Sequence, residues 1–141
     1  MQLQLTLNGI AAEIEIKGYS VKHRSEYGCT WCQIDYALKA EPWLKYEKRN
    51  AEVLTAEEID CVTGRLEQLL IGQLCGREVL NFIEPDFVFV LCQQEKTIHM
   101  DWKIYFWEKE NGLTANYLSV RLYLDEIEKL WKYLKSIQQG L

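Results

Sequence analysis

Proline is scarce, at 2 of 141 residues, and nowhere do about 18 apolar residues run together, which excludes a transmembrane helix. Met1 to Leu7 has neither a basic stretch nor a continuous apolar run, so no secretory signal is expected. Positive charge is in deficit, with Lys+Arg 16 against Asp+Glu 21 and a net charge of −5. Nucleic-acid affinity rests largely on Lys and Arg neutralising phosphates, so a nucleic-acid partner is not expected. An acidic surface suits a basic protein instead. A Gly-rich phosphate loop, His-Glu-x-x-His and Gly-x-Ser-x-Gly are all missing. So are internal repeats, low-complexity tracts and Gly/Ser linkers. The 5 cysteines are odd in number and scattered, which fits reduced thiols and a cytoplasmic location.

What is present is globular. Hydrophobic residues make up 48%, charged residues 26% and aromatics 12%, including 5 Trp and 8 Tyr. The length predicts one domain spanning residues 1–141. Leu3, Leu5 and Leu7 alternate with polar residues, Asn8-Gly9 signals a tight turn, and Ile14 and Ile16 continue the alternation, predicting a hairpin. Residues 21–28 read as a loop. From Cys29 to Lys39 the period is again two, with Thr30, Cys32, Ile34, Tyr36 and Leu38 directed to the core. Trp43 to Tyr46 suggests a short edge strand, and Lys45 to Asn50 an exposed charged segment.

Thr55-Ala56-Glu57-Glu58 is a capping box, with Leu54 and Ile59 at the staple positions. Ile59, Val62, Leu66, Leu69 and Leu70 follow at helical spacing, predicting a helix over about residues 56–71, closed by a left-handed Gly72 or Gly76. Val79 to Ile83 and the doubly apolar Phe87 to Cys92 read as strands, the latter central. Thr97 to Trp107 alternates throughout. Leu118, Val120, Leu122 and Leu124 form one face of the next strand. Asp125 to Glu128 reads as a second capping box, opening a helix over about residues 126–138 whose stripe includes Leu130, Trp131 and Leu134. The order implies an α+β fold: one curved antiparallel sheet of about six to eight strands with two amphipathic helices on one face.

Few residues suggest chemistry. Cys29-Thr30-Trp31-Cys32 looks like half a zinc site, but a structural site needs four ligands and no second pair exists. A redox dithiol normally opens a helix, whereas these cysteines fall in a strand pattern. His23 and His99 have no nearby nucleophile with a base, and the carboxylates Glu57, Glu58, Asp125 and Glu128 are already used in helix capping. No catalytic residue, metal ligand or cofactor site is assigned. The outer sheet face says more. Trp31, Asp35, Asp101, Lys103, Tyr105, Trp107, Tyr117, Arg121 and Tyr123 are expected opposite the helices, where aromatics interleaved with charges resemble an interface. Cross-strand stabilisation, or cover by another segment, explains the same residues without a partner. An exposed edge strand would also permit a homodimer.

Several segments resemble the WapI-type immunity proteins, made in bacteria beside polymorphic or contact-dependent toxins. They are Gly18-Tyr19, Trp31-Cys32-Gln33-Ile34, the helix from Thr55, Phe82-Ile83-Glu84-Pro85-Asp86, and the closing Val120-Arg121-Leu122-Tyr123-Leu124-Asp125-Glu126. The chain departs from the family by Cys32, where an aliphatic residue is usual, and by a longer charged segment at 45–52. The resemblance implies a non-enzymatic protein that neutralises a toxin domain by stoichiometric binding. Many such toxins are basic nucleases, so an acidic inhibitor would be steered to them. The alternative is a small-molecule-binding α+β domain, which requires a closed apolar cavity of a few hundred Å³.

Overall fold

The computed structural model describes residues 1–20 and 30–140. The order is β1 (Leu3–Leu7), β2 (Ile10–Lys17), β3 (Gln33–Ala40), β4 (Leu44–Ala51), α1 (Ala56–Leu70), β5 (Gly76–Asn81), β6 (Phe87–Gln94), β7 (Thr97–Glu108), β8 (Gly112–Leu122) and α2 (Leu124–Gln138). All strand pairs are antiparallel. Asn8 and Gly9 both take positive φ between the paired Leu7 and Ile10, the two-residue turn that Asn-Gly favours.

The α+β class holds, but one curved sheet does not. The strands divide into two four-stranded meanders, β1-β2-β3-β4 and β5-β6-β7-β8. Strand twist accumulates across a sheet, so long open sheets tend to curl or split. Here the two sheets meet through side chains. Tyr36 of β3 packs edge-on to Phe87 of β6 at 4.8 Å, and Tyr46 of β4 edge-on to Phe106 of β7 at 4.9 Å. Leu5, Ile34, Leu38, Ile59, Leu66, Phe87, Met100, Ile104, Leu122 and Ile127 belong to one buried cluster drawn from both sheets and both helices.

Helix α1 begins as its sequence predicts. The Thr55 hydroxyl accepts from the Glu58 amide at 3.1 Å, and the Glu58 carboxylate accepts from the Thr55 amide at 2.9 Å. It ends in a Schellman turn: the Gln73 amide donates to the Gln68 carbonyl, the Gly72 amide to Leu69, and Gly72 takes φ 75°. Its partner α2 packs against α1, β1, β7 and β8. The Tyr133 hydroxyl of α2 accepts from the Ile16 amide at 2.9 Å and donates to the Met1 carbonyl at 3.0 Å. Burial raises the Tyr133 pKa above its ordinary value.

Other expectations are corrected. The charged segment at 45–50 is strand β4, whose Leu44, Tyr46 and Lys48 are partly buried while Lys45, Glu47 and Arg49 are exposed. It lies at a sheet edge, where charge opposes strand addition. Trp43 stays outside β4 and is 65% exposed. Strand β5 begins at Gly76, earlier than Val79, and β8 begins at Gly112. The second capping box does not form. The cap of α2 is Tyr123, without a side-chain hydrogen bond, and Asp125 lies inside the first turn, where it still complements the dipole. Leu124 therefore opens a helix instead of lining a strand, and is 52% exposed. The loop at 21–28, His23 and Cys29 lie outside the described residues.

The capping geometry predicts that Thr55→Ala lowers unfolding free energy by about 1 kcal/mol. Truncating the fully buried Leu66 to Ala should cost about 2–5 kcal/mol. Urea denaturation of the two variants checks both values and their order.

Candidate partner interface

The nine residues expected on one outer face are distributed over four places. Five of them stand together on β7 and β8. Register pairs Asp101 with Arg121, Lys103 with Ser119 and Tyr105 with Tyr117. The Arg121 guanidinium donates to both Asp101 oxygens, at 2.8 and 3.2 Å. The Lys103 ammonium sits 5.3 Å from the Tyr117 ring centroid, and Tyr105 and Tyr117 pack at 5.0 Å. The resulting ladder pre-positions aromatic and charged groups on the surface, and Tyr117 remains 48% exposed. The Arg121 hydrogen bonds hold the Asp101 carboxyl below its ordinary pKa.

Trp107 leaves this ladder. A register irregularity between Tyr105 and Trp107 redirects it to the seam between the sheets. Its indole Nε1 donates to Asp86 at 2.6 Å, and Lys48 lies 4.2 Å from its ring centroid and 3.8 Å from Asp86. The Trp107 amide donates to the Tyr46 hydroxyl at 3.0 Å. Buried beside these groups, the Tyr36 hydroxyl has its pKa raised, first by desolvation and then by Tyr46 and Asp86. Trp107 therefore has a structural task even though 42% of it is exposed.

Asp35 belongs to the first sheet, and Trp31 lies just outside it. Trp31 precedes β3 and bridges Thr55, just before α1. Asp35 on β3 accepts from the Asn50 amide at 2.6 Å and from Lys17 Nζ at 3.0 Å, with Arg49 at 3.6 Å. The Asn50 hydrogen bond, then Lys17, lowers its pKa. This carboxylate joins β2, β3 and β4.

Tyr123, past the end of β8, is 51% exposed and reaches the fourth place. With His99 it lines an open cleft of about 760 Å³ between the ends of the helices and the β6–β7 turn. The sequence pattern did not disclose this cleft. Leu70 and Trp131 belong to helical stripes read as core, yet each is only partly buried, and Ile71 is 58% exposed. Adjacent leucines at 69 and 70 were the available signal, since a narrow helical stripe cannot bury both equally.

Among the described residues, no three His, Cys, Asp or Glu side chains converge as metal ligands. Cys32 is fully buried, while Cys61 and Cys75 are exposed. No helix of the described residues is long and apolar enough to cross a membrane.

These elements define an α+β protein whose surface offers an ordered aromatic and charged sheet face beside an open apolar cleft. The chain belongs to the Immunity protein WapI-like family, which it matches over residues 4–139. No curated protein and no solved structure shows significant similarity to it.

The lowered carboxyl pKa values give a signed prediction. Asp35 and Asp101 should stabilise the fold fully above their ordinary value of 3.8 and lose that contribution as pH falls through their lower folded values. The Asp35→Asn, Asp101→Asn double variant should therefore show a lower urea midpoint than wild type at pH 7. The gap should close progressively below pH 3.8.

Proposed function

We propose that this protein is the cytoplasmic immunity partner of a bacterial contact-dependent or polymorphic toxin, acting as a single domain by stoichiometric binding and without turnover. Family membership over residues 4–139 is the observation that carries this function. The β7–β8 ladder supports a binding mode: its groups are held ready by one another, so little side-chain freedom is lost on docking. Trp31 and Asp35 lie outside β7 and β8, and Trp107 is committed to the seam. The proposed contact set therefore centres on Asp101, Lys103, Tyr105, Tyr117, Arg121 and Tyr123. A basic toxin domain fits the net charge of −5. The small-molecule alternative finds less support, because the cleft at the helix ends is open to solvent.

The gene should lie beside one encoding a large secreted protein with a variable C-terminal domain. Co-expression should rescue cells from that domain, and the two purified proteins should co-elute as a 1:1 complex. Tyr117→Ala should weaken the complex by about tenfold, measured by calorimetry. Unrelieved toxicity together with separate elution would remove the proposal.

A further inference from the structure

The chain's negative excess does not lie on the β7–β8 ladder, where Lys103 and Arg121 outnumber Asp101. Carboxylates do outnumber Lys and Arg among the described residues lining the helix-end cleft and the hollow that adjoins it, Glu67, Glu95 and Glu128 against Lys96. Ile71, Tyr123 and Leu124 are each more than half exposed there, an apolar concentration unusual on a soluble surface. Leu70, Ile71 and Leu124 also line an adjoining hollow of about 280 Å³, which Trp131 completes and whose remaining lining groups are the carboxylates Glu67 and Glu128. Glu128 is paired with Lys132 at 3.5 Å. Glu95 stands on the opposite side beside Lys96. The backbone adds to this field. The C-terminus of α1 carries partial negative charge, and its last turn holds no basic residue, whereas α2 has Lys135 in its own last turn. The positive N-terminus of α2 is already offset by Asp125 and Glu126.

An apolar floor with an electronegative rim selects a partner of matching pattern. We propose that this cleft is the anchoring site for a basic amphipathic segment of the toxin. An apolar side chain of that segment seats on Ile71 and Leu124. A flanking Lys or Arg is held by Glu67 and the carboxyl end of α1. His99 and Tyr123 carry the surface on toward the β7–β8 ladder, so one partner spans both. The inference rests on the immunity function proposed above.

The test uses the full chain and the toxin domain encoded beside its gene. An Ile71→Ser, Leu124→Ser double variant should bind at least about 30-fold more weakly by calorimetry. Both side chains are mostly exposed, so its melting curve should match wild type. Glu67→Lys should weaken binding and flatten its dependence on salt. Lys45→Ser, on the first sheet, should bind as wild type. Hydrogen exchange in the complex should show new protection at residues 67–73 and 123–131. Wild-type affinity in the double variant, or protection confined to β7 and β8, would overturn the cleft while leaving the immunity function standing. A homodimer of the isolated chain that the double variant abolishes would assign the cleft to a second copy and overturn the proposal equally. The absence of any complex with the unsubstituted chain would overturn the immunity function and this inference together.

Discussion

A carboxylate taken out of water is tolerated only when it is paired and hydrogen-bonded, and Asp86 imposes that condition on the two sheets. Its side chain is 4% exposed. The partners that satisfy it come from both sides: Lys48 from β4, and the Trp107 indole from β7. Its backbone carbonyl accepts from the Tyr105 amide at 2.8 Å, which fixes the start of β6 against β7. Around it the contacts Tyr36–Phe87 and Tyr46–Phe106 close the seam. Apolar contacts of this kind pull the sheets together without strong directional preference. The charged node supplies direction, because other arrangements leave Asp86 buried with too few partners.

That seam has consequences for the surface. It consumes Trp107 and leaves Tyr105, Tyr117, Asp101, Lys103 and Arg121 as a separate, internally satisfied ladder along β7 and β8. At the other end of the same strands, the helices stop short of the β6–β7 turn and the cleft opens. One face is aromatic, with Lys103 and Arg121 against Asp101; the adjoining cleft and its hollow have an apolar floor, with Glu67, Glu95 and Glu128 against Lys96. A binding protein gains from that division, since the charged rim steers encounter and the apolar floor resists dissociation.

Local signals were legible in the sequence wherever one element decides its own conformation. The Thr55 capping box, the Asn8-Gly9 turn, the central strand at Phe87 and the core face through Cys32, Ile34, Tyr36 and Leu38 all appear where periodicity and cap chemistry put them. The division into two sheets was not legible, because alternation names a strand's inner face but not what that face packs against. Lys48 illustrates the difficulty: its charge reads as solvent exposure, yet its inward register delivers it to Asp86. The Asp125 cap failed for a related reason. The backbone turned two residues early, at Tyr123, and moved Leu124 from a strand face to an exposed helical turn. Of the candidate interface residues, the shared position of the β7–β8 set was recoverable from alternation. The cleft was not, since it exists only where two helix ends and a hairpin meet.

The central claim is inhibition by occupancy, without catalysis. Its most direct test is a titration of residual toxin activity against increasing amounts of this protein, read at several incubation times. The account predicts a linear fall to zero at one equivalent, identical at every time point. Complete inactivation by a small fraction of an equivalent, deepening with time, would show turnover and contradict it.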